Sequence, residues 1–253
     1  MDLRYPALAA LLLVTFMGWR VTSAGWQDLL KPIEGITGSK TLQQATGSAL
    51  SNDDMIAGLK EALSVGVQKA ITYLGKDGGF LNDSQVRIPL PSALQKVEKG
   101  LRAVGKGDVA DEFVATLNHA AEQAVPKTAS IIGNTIENMS ISDAQNILNG
   151  PDDAATRYFR EKNSEKLVQA ILPIVEKATA KTGVTASYKN LIGKAGFLGK
   201  FVDSDSLDLD KYVTNKTLDG LFLKLAQEEK LIRTNPVARS TDLLKKVFGS
   251  LRK

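Results

Sequence analysis

Apolar residues recur three or four positions apart along most of the chain, and that spacing constrains the fold more than any other feature. Ile56, Leu59, Leu63, Val67, Ala70, Ile71 and Leu74 form one such series, while Lys60, Glu61, Ser64, Gln68 and Lys69 fall elsewhere on the wheel. One stripe buries against partner helices and the other faces water. Ser51 or Asn52 supplies the N-cap, Asp53 and Asp54 suit the positive end, and Gly75 is a natural stop.

The spacing resumes from Ser92 to Val104 and again from Asp108 to about Val125, through Val109, Phe113, Leu117, Ala120 and Ala124. Pro126 starts a new turn or kinks the old one. Thr128 to Glu137 continues with Ile131, Ile132 and Ile136, and Ser140 with Asp143 matches a capping box. Gly150-Pro151-Asp152-Asp153 is a stop and restart. It predicts a helix over Ala154 to Arg160, then a separate one capped by Asn163 or Ser164 and bent at Pro173. Further helices are expected over 186–198, 216–232 and 241–251.

One segment breaks the pattern. Gly78-Gly79-Phe80-Leu81-Asn82-Asp83 reads as a turn, and Gln85-Val86-Arg87-Ile88 alternates polar with apolar residues before Pro89 and Pro91. The prolines restrict any strand to a short or edge position. The expected fold is therefore mainly α: a multi-helix domain of amphipathic helices with one minor β-hairpin, its arms near Phe80 and Ile88.

The N-terminus reads as a secretory signal. Met1-Asp2-Leu3-Arg4 leads into an apolar run from Tyr5 to Met17, and Thr22-Ser23-Ala24 offers small side chains ahead of a cut before Gly25. Residues 1–24 are the expected signal peptide and 25–253 a single helical domain. Asp2, Trp19 and Arg20 are unusual for such a signal, so an uncleaved membrane anchor is the alternative. A periplasmic or otherwise extracytoplasmic location follows, with the signal engaging the export machinery.

With no cysteine among 253 residues, thiol catalysis, cysteine metal sites and lipoprotein anchoring are excluded. A chain of this size buries a full core without disulfides. The net charge of +4 is spread as alternating signs rather than gathered into a basic stripe with interleaved aromatics, so nucleic acid is not an expected partner. No solenoid repeat, phosphate loop, zincin helix or calcium loop is present.

Two constellations carry chemistry. Asp108, Glu112, His119 and Glu122 share about a quarter of one helix wheel, opposite Phe113 and Leu117. Such a ridge can hold a cation or pass a proton, but a solvated acidic face has the same pattern. His119 is the only histidine, and a metal site needs ligands from another element that spacing does not identify. The second is Asp152 to Arg160, where Asp153 and Arg157 can pair four apart, while Arg157, Tyr158 and Arg160 can offer donors and a phenol to an anion or a protein partner.

Several ordered pieces resemble the bacterial family DUF4197, a domain of unknown function. They are Ile88-Pro89-Leu90-Pro91, Leu117-Asn118-His119-Ala120-Ala121-Glu122, Ala154-Ala155-Thr156-Arg157-Tyr158-Phe159, Leu218-Asp219-Gly220-Leu221-Phe222, and Asp242-Leu243-Leu244-Lys245-Lys246-Val247-Phe248-Gly249. The resemblance implies an exported, mainly helical bacterial protein and no particular activity. It also implies arginine at the position of His119, which argues against a metal or general-base role there and leaves Asn118 and Glu122 as polar contacts.

The resulting expectation is an exported binding or protein-interaction module without cofactor or metal. Its contacts are expected at Asn118, Glu122, Arg157, Tyr158 and Arg160, and its partner is a small anionic or apolar ligand or another protein. An extracytoplasmic enzyme with a polar cleft at Glu112 and Glu122, or a purely structural assembly protein, are the alternatives.

Overall fold

The computed structural model describes residues 51–181, 185–186, 208–235 and 245. The expected signal at 1–24, the helix expected over 241–251 apart from Lys245, and nearly all of the one expected over 186–198 lie outside them. Helix α1 spans Asn52–Gly75 and begins where Ser51 Oγ accepts the Asp54 N–H at 3.1 Å. Its Leu59, Leu63, Val67, Ala70 and Leu74 are buried, as the periodicity predicts. Helix α2 spans Ser92–Ala103 directly after Pro91, and α3 spans Gly107–Ala124.

Pro126 lies in a 3₁₀ turn, Val125–Thr128, that joins α3 to α4 at Ala129–Glu137. A proline near the start of a turn forfeits only a donor that would be unpaired there. Helix α5, Ile141–Leu148, opens with the expected capping box: Asp143 N–H donates to Ser140 Oγ at 3.1 Å, and Ser140 N–H returns to Asp143 Oδ2 at 3.3 Å.

The two helices expected on either side of Asn163 are one, α6, running Ala154–Ala180 through Pro173. Neither candidate cap is free to stop it. Asn163 is buried and its Oδ1 accepts the Thr135 hydroxyl of α4 at 2.7 Å, whereas Ser164 Oγ donates back to the Arg160 carbonyl at 2.6 Å. Helix α7 spans Leu209–Thr234 and starts well before Lys216, because Asp208 caps it by accepting the Lys211 N–H at 3.1 Å.

No strand occurs among the described residues, so the expected hairpin is replaced by a succession of turns. Asn82 N–H donates to Gly78 O, and both Val86 and Arg87 donate to Asp83 O. The amides of Phe80, Leu81 and Ile88, which a hairpin would use in its ladder, go to side chains of α3. Residues 76–91 thus form a strap laid over α3 and α7.

Helix α6 packs on α7, α3 and α4, while α1 packs on α7 and α4. Phe80, Phe159 and Phe222 are each almost fully buried, as are Leu117, Ile132, Leu167 and Leu221. Burial of each ring contributes about 1.5–3 kcal/mol. Phe80 enters from the strap because Gly220 lies beneath it: a Cβ at Gly220 would stand 2.6 Å from Phe80 Cε1. Among the described residues no helix is long and apolar enough to cross a membrane.

Candidate functional site

Helix α3 places Asn118 and Glu122 one turn apart on its buried face, beneath the strap. Glu122 Oε1 accepts the N–H groups of Phe80 at 2.9 Å and Leu81 at 3.1 Å. Asn118 brackets Ile88, accepting its N–H at 2.8 Å and donating to its carbonyl at 2.9 Å, and also donates to Val114 O at 2.8 Å. These two expected contact residues therefore engage the chain's own backbone, and a buried peptide group without such a partner would cost about 1–3 kcal/mol. The remaining Glu122 oxygen, Oε2, lies 2.7 Å from His119 Nδ1, and Asp77 Oδ1 stands 3.5 Å from the same nitrogen.

The rest of the expected acidic ridge does not converge. Asp108 and Glu112 are exposed, and Glu112 is ten residues from Glu122 on a straight rise of about 15 Å. The two glutamates therefore form no common cleft. Arg157, Tyr158 and Arg160 each have a separate partner within the chain. Arg157 Nε pairs with Asp153 at 2.9 Å, and Tyr158 donates to Asp143 Oδ2 at 3.3 Å and meets Phe159 edge-on. Arg160 stacks 4.4 Å above the Phe222 ring, with Asp219 3.8 Å away.

A staple that the sequence did not reveal joins α5, α6 and α7. Buried Glu229 accepts the N–H groups of Ala155 and Thr156 and the Thr156 hydroxyl, each at 2.9 Å. It thereby supplies the negative charge that the α6 N-terminus favours, from another helix. Arg233 pairs with Glu229 Oε1 at 3.0 Å and donates to Ile147 O at 2.7 Å. Only the four-residue spacing of Glu229 and Arg233 hinted at the pair, and surface ion pairs share that spacing.

Between α1 and α7 lies an open groove of about 760 Å³. Lys69 and Tyr73 of α1 line it one turn apart, with Lys76 at the start of the strap, opposite Lys224, Gln227 and Glu228 of α7. The Tyr73 ring has Lys76 Nζ 4.4 Å and Lys224 Nζ 5.0 Å from its centre. Asp83 of the strap holds the floor in place: its Oδ2 is 2.6 Å from Lys224 Nζ and accepts the Tyr73 hydroxyl at 3.0 Å. Burial opposes ionisation of Asp83, but hydrogen bonds from Lys224, the Gln85 amide and Tyr73 outweigh it and lower its pKa. The same hydrogen bond to Asp83, helped by desolvation, raises the pKa of Tyr73 and keeps the phenol protonated. Lys69 and Lys76 form no ion pair with a described residue.

Comparison with curated proteins and with solved structures gives no match. A family model described as "Protein of unknown function (DUF4197)" matches residues 49–249, and that span contains every described helix, the strap and the groove. The chain belongs to the DUF4197 family.

Proposed function

We propose that the protein is an exported helical binding module that takes a small anionic ligand in the groove between α1 and α7. The observation that carries this reading is that Lys69 and Lys76, neither ion-paired with a described residue, line a groove of about 760 Å³ together with Tyr73. That volume lies within the range of small-molecule sites, about 300–1,000 Å³. The two ammonium groups offer charge-assisted donors to a carboxylate or phosphate, and the phenol offers an aromatic face to the remainder of the molecule. Lys224 is already neutralised by Asp83, so it serves as a wall rather than as a free cation. The apolar run before Thr22-Ser23-Ala24 supports the export part of the reading.

Native mass spectrometry of the protein purified from its exported location tests both parts. The expected spectrum shows a chain starting at Gly25 with a retained anionic small molecule, and the molecule is lost from the Lys69→Glu, Lys76→Glu double variant. A ligand retained equally by that variant, with its helical spectrum unchanged, would remove the groove from consideration.

A further inference from the structure

We propose that Asp77, His119 and Glu122 bind a divalent transition-metal ion of the zinc class, which ties the strap to α3. Helix spacing alone offers His119 and Glu122 one turn apart. The fold adds the ligand from a second element, Asp77, which lies two residues beyond the end of α1. One ligand atom from each of the three residues lies within 4.8 Å of the other two. Nδ1 of His119 is 2.7 Å from Glu122 Oε2 and 3.5 Å from Asp77 Oδ1.

An imidazole nitrogen and two carboxylate oxygens form a ligand set suited to zinc, at about 2.0–2.2 Å from the ion. Ligands at that range stand roughly 3–3.5 Å apart in a tetrahedral site. The short Nδ1 to Oε2 contact opens slightly as the ion enters, and Nδ1 then presents its lone pair to the ion while the one ring proton of the neutral imidazole sits on Nε2. Asp77, with a side chain 94% exposed, is free to swing inward.

Glu122 is the pre-set member. Its side chain is 5% exposed, and the N–H groups of Phe80 and Leu81 hold Oε1, so Oε2 is aimed at the site before any ion arrives. Outer contacts that orient a ligating carboxylate in this way strengthen metal sites. Water fills the fourth position. The ion would link the end of α1 to α3 across the start of the strap, so binding and stability are coupled.

The test is zinc titration of chelator-treated full chain by calorimetry, with thermal unfolding followed in parallel. The expected result is one zinc per chain and a rise in Tm of about 5–10 °C at a hundredfold excess over Kd. Asp77→Asn and His119→Arg should each weaken binding at least tenfold while keeping the helical spectrum. Arginine is the informative replacement because it still donates to Glu122 but cannot coordinate. Asp77→Asn carries the same test at an exposed position where folding is not at stake. Absence of zinc binding by the parent chain, or binding in His119→Arg or Asp77→Asn as strong as in the parent, would overturn the proposal.

Discussion

At the scale of single residues, the polar groups that matter most are those buried in pairs. Glu229 is buried, and its oxygens serve the first turn of α6 while Arg233 compensates its charge. Replacing Glu229 with Ala leaves three donors of α6 and a guanidinium with a 10% exposed side chain short of their acceptor. Removing one member of a buried pair costs about 3–5 kcal/mol, and the denaturant midpoint should fall accordingly. A midpoint within experimental error of the parent would show that water replaces the staple. Arg157 makes the contrast: its pair with Asp153 is 70% and 40% exposed, so Arg157→Gln should change stability by less than about 1 kcal/mol.

Among the elements, the strap at 76–91 depends on close approach. Gly220→Ala should favour α7 by about 1 kcal/mol through helix propensity, but its methyl group would drive into the fully buried Phe80 ring. Overpacking of this kind costs about 1–3 kcal/mol and wins, so the variant should melt below the parent. Gly100→Ala in α2, where a Cβ meets nothing within 4 Å, should instead melt above it. Scanning calorimetry of both variants gives opposite shifts if the Phe80 contact governs the first.

Asp83 gives the strap a pH dependence. Its folded pKa lies below the ordinary value, so its contribution to stability is present above the unfolded pKa and is lost as pH falls through the folded one. Asp83→Asn should therefore be less stable than the parent at neutral pH, and the gap should close as pH falls below about 4. A gap that stays constant down to acid denaturation would assign the loss to hydrogen-bond geometry rather than to charge.

For the whole molecule, the family match spans residues 49–249, and the apolar run read as a signal lies ahead of it in the sequence. Processing after Ala24 should leave Gly25 at the mature N-terminus, as Edman sequencing of exported protein would show. Recovery of Met1 on a membrane-bound exported form would favour an anchor instead.

Sequence alone determined what depends on neighbours within a turn or two. The apolar stripe of α1, its Ser51 cap, the Ser140 and Asp143 capping box and the predominance of helix all follow from i, i+3 and i+4 relations. Family membership was legible for a similar reason, since it rests on short ordered motifs. The alternation from Gln85 to Ile88 misled because a strand needs a partner, and the partners here are Asn118 and Glu122 of a helix. Asn163 and Ser164 misled as caps because one hydrogen-bonds α4 and the other its own preceding turn. Only the tertiary structure decided that Glu122 faces inward, that Glu229 caps a helix 73 residues away, and that Asp77 meets His119. Each of those outcomes is a contact between distant parts of the chain, where burial makes an unpaired charge or amide costly enough to select its partner.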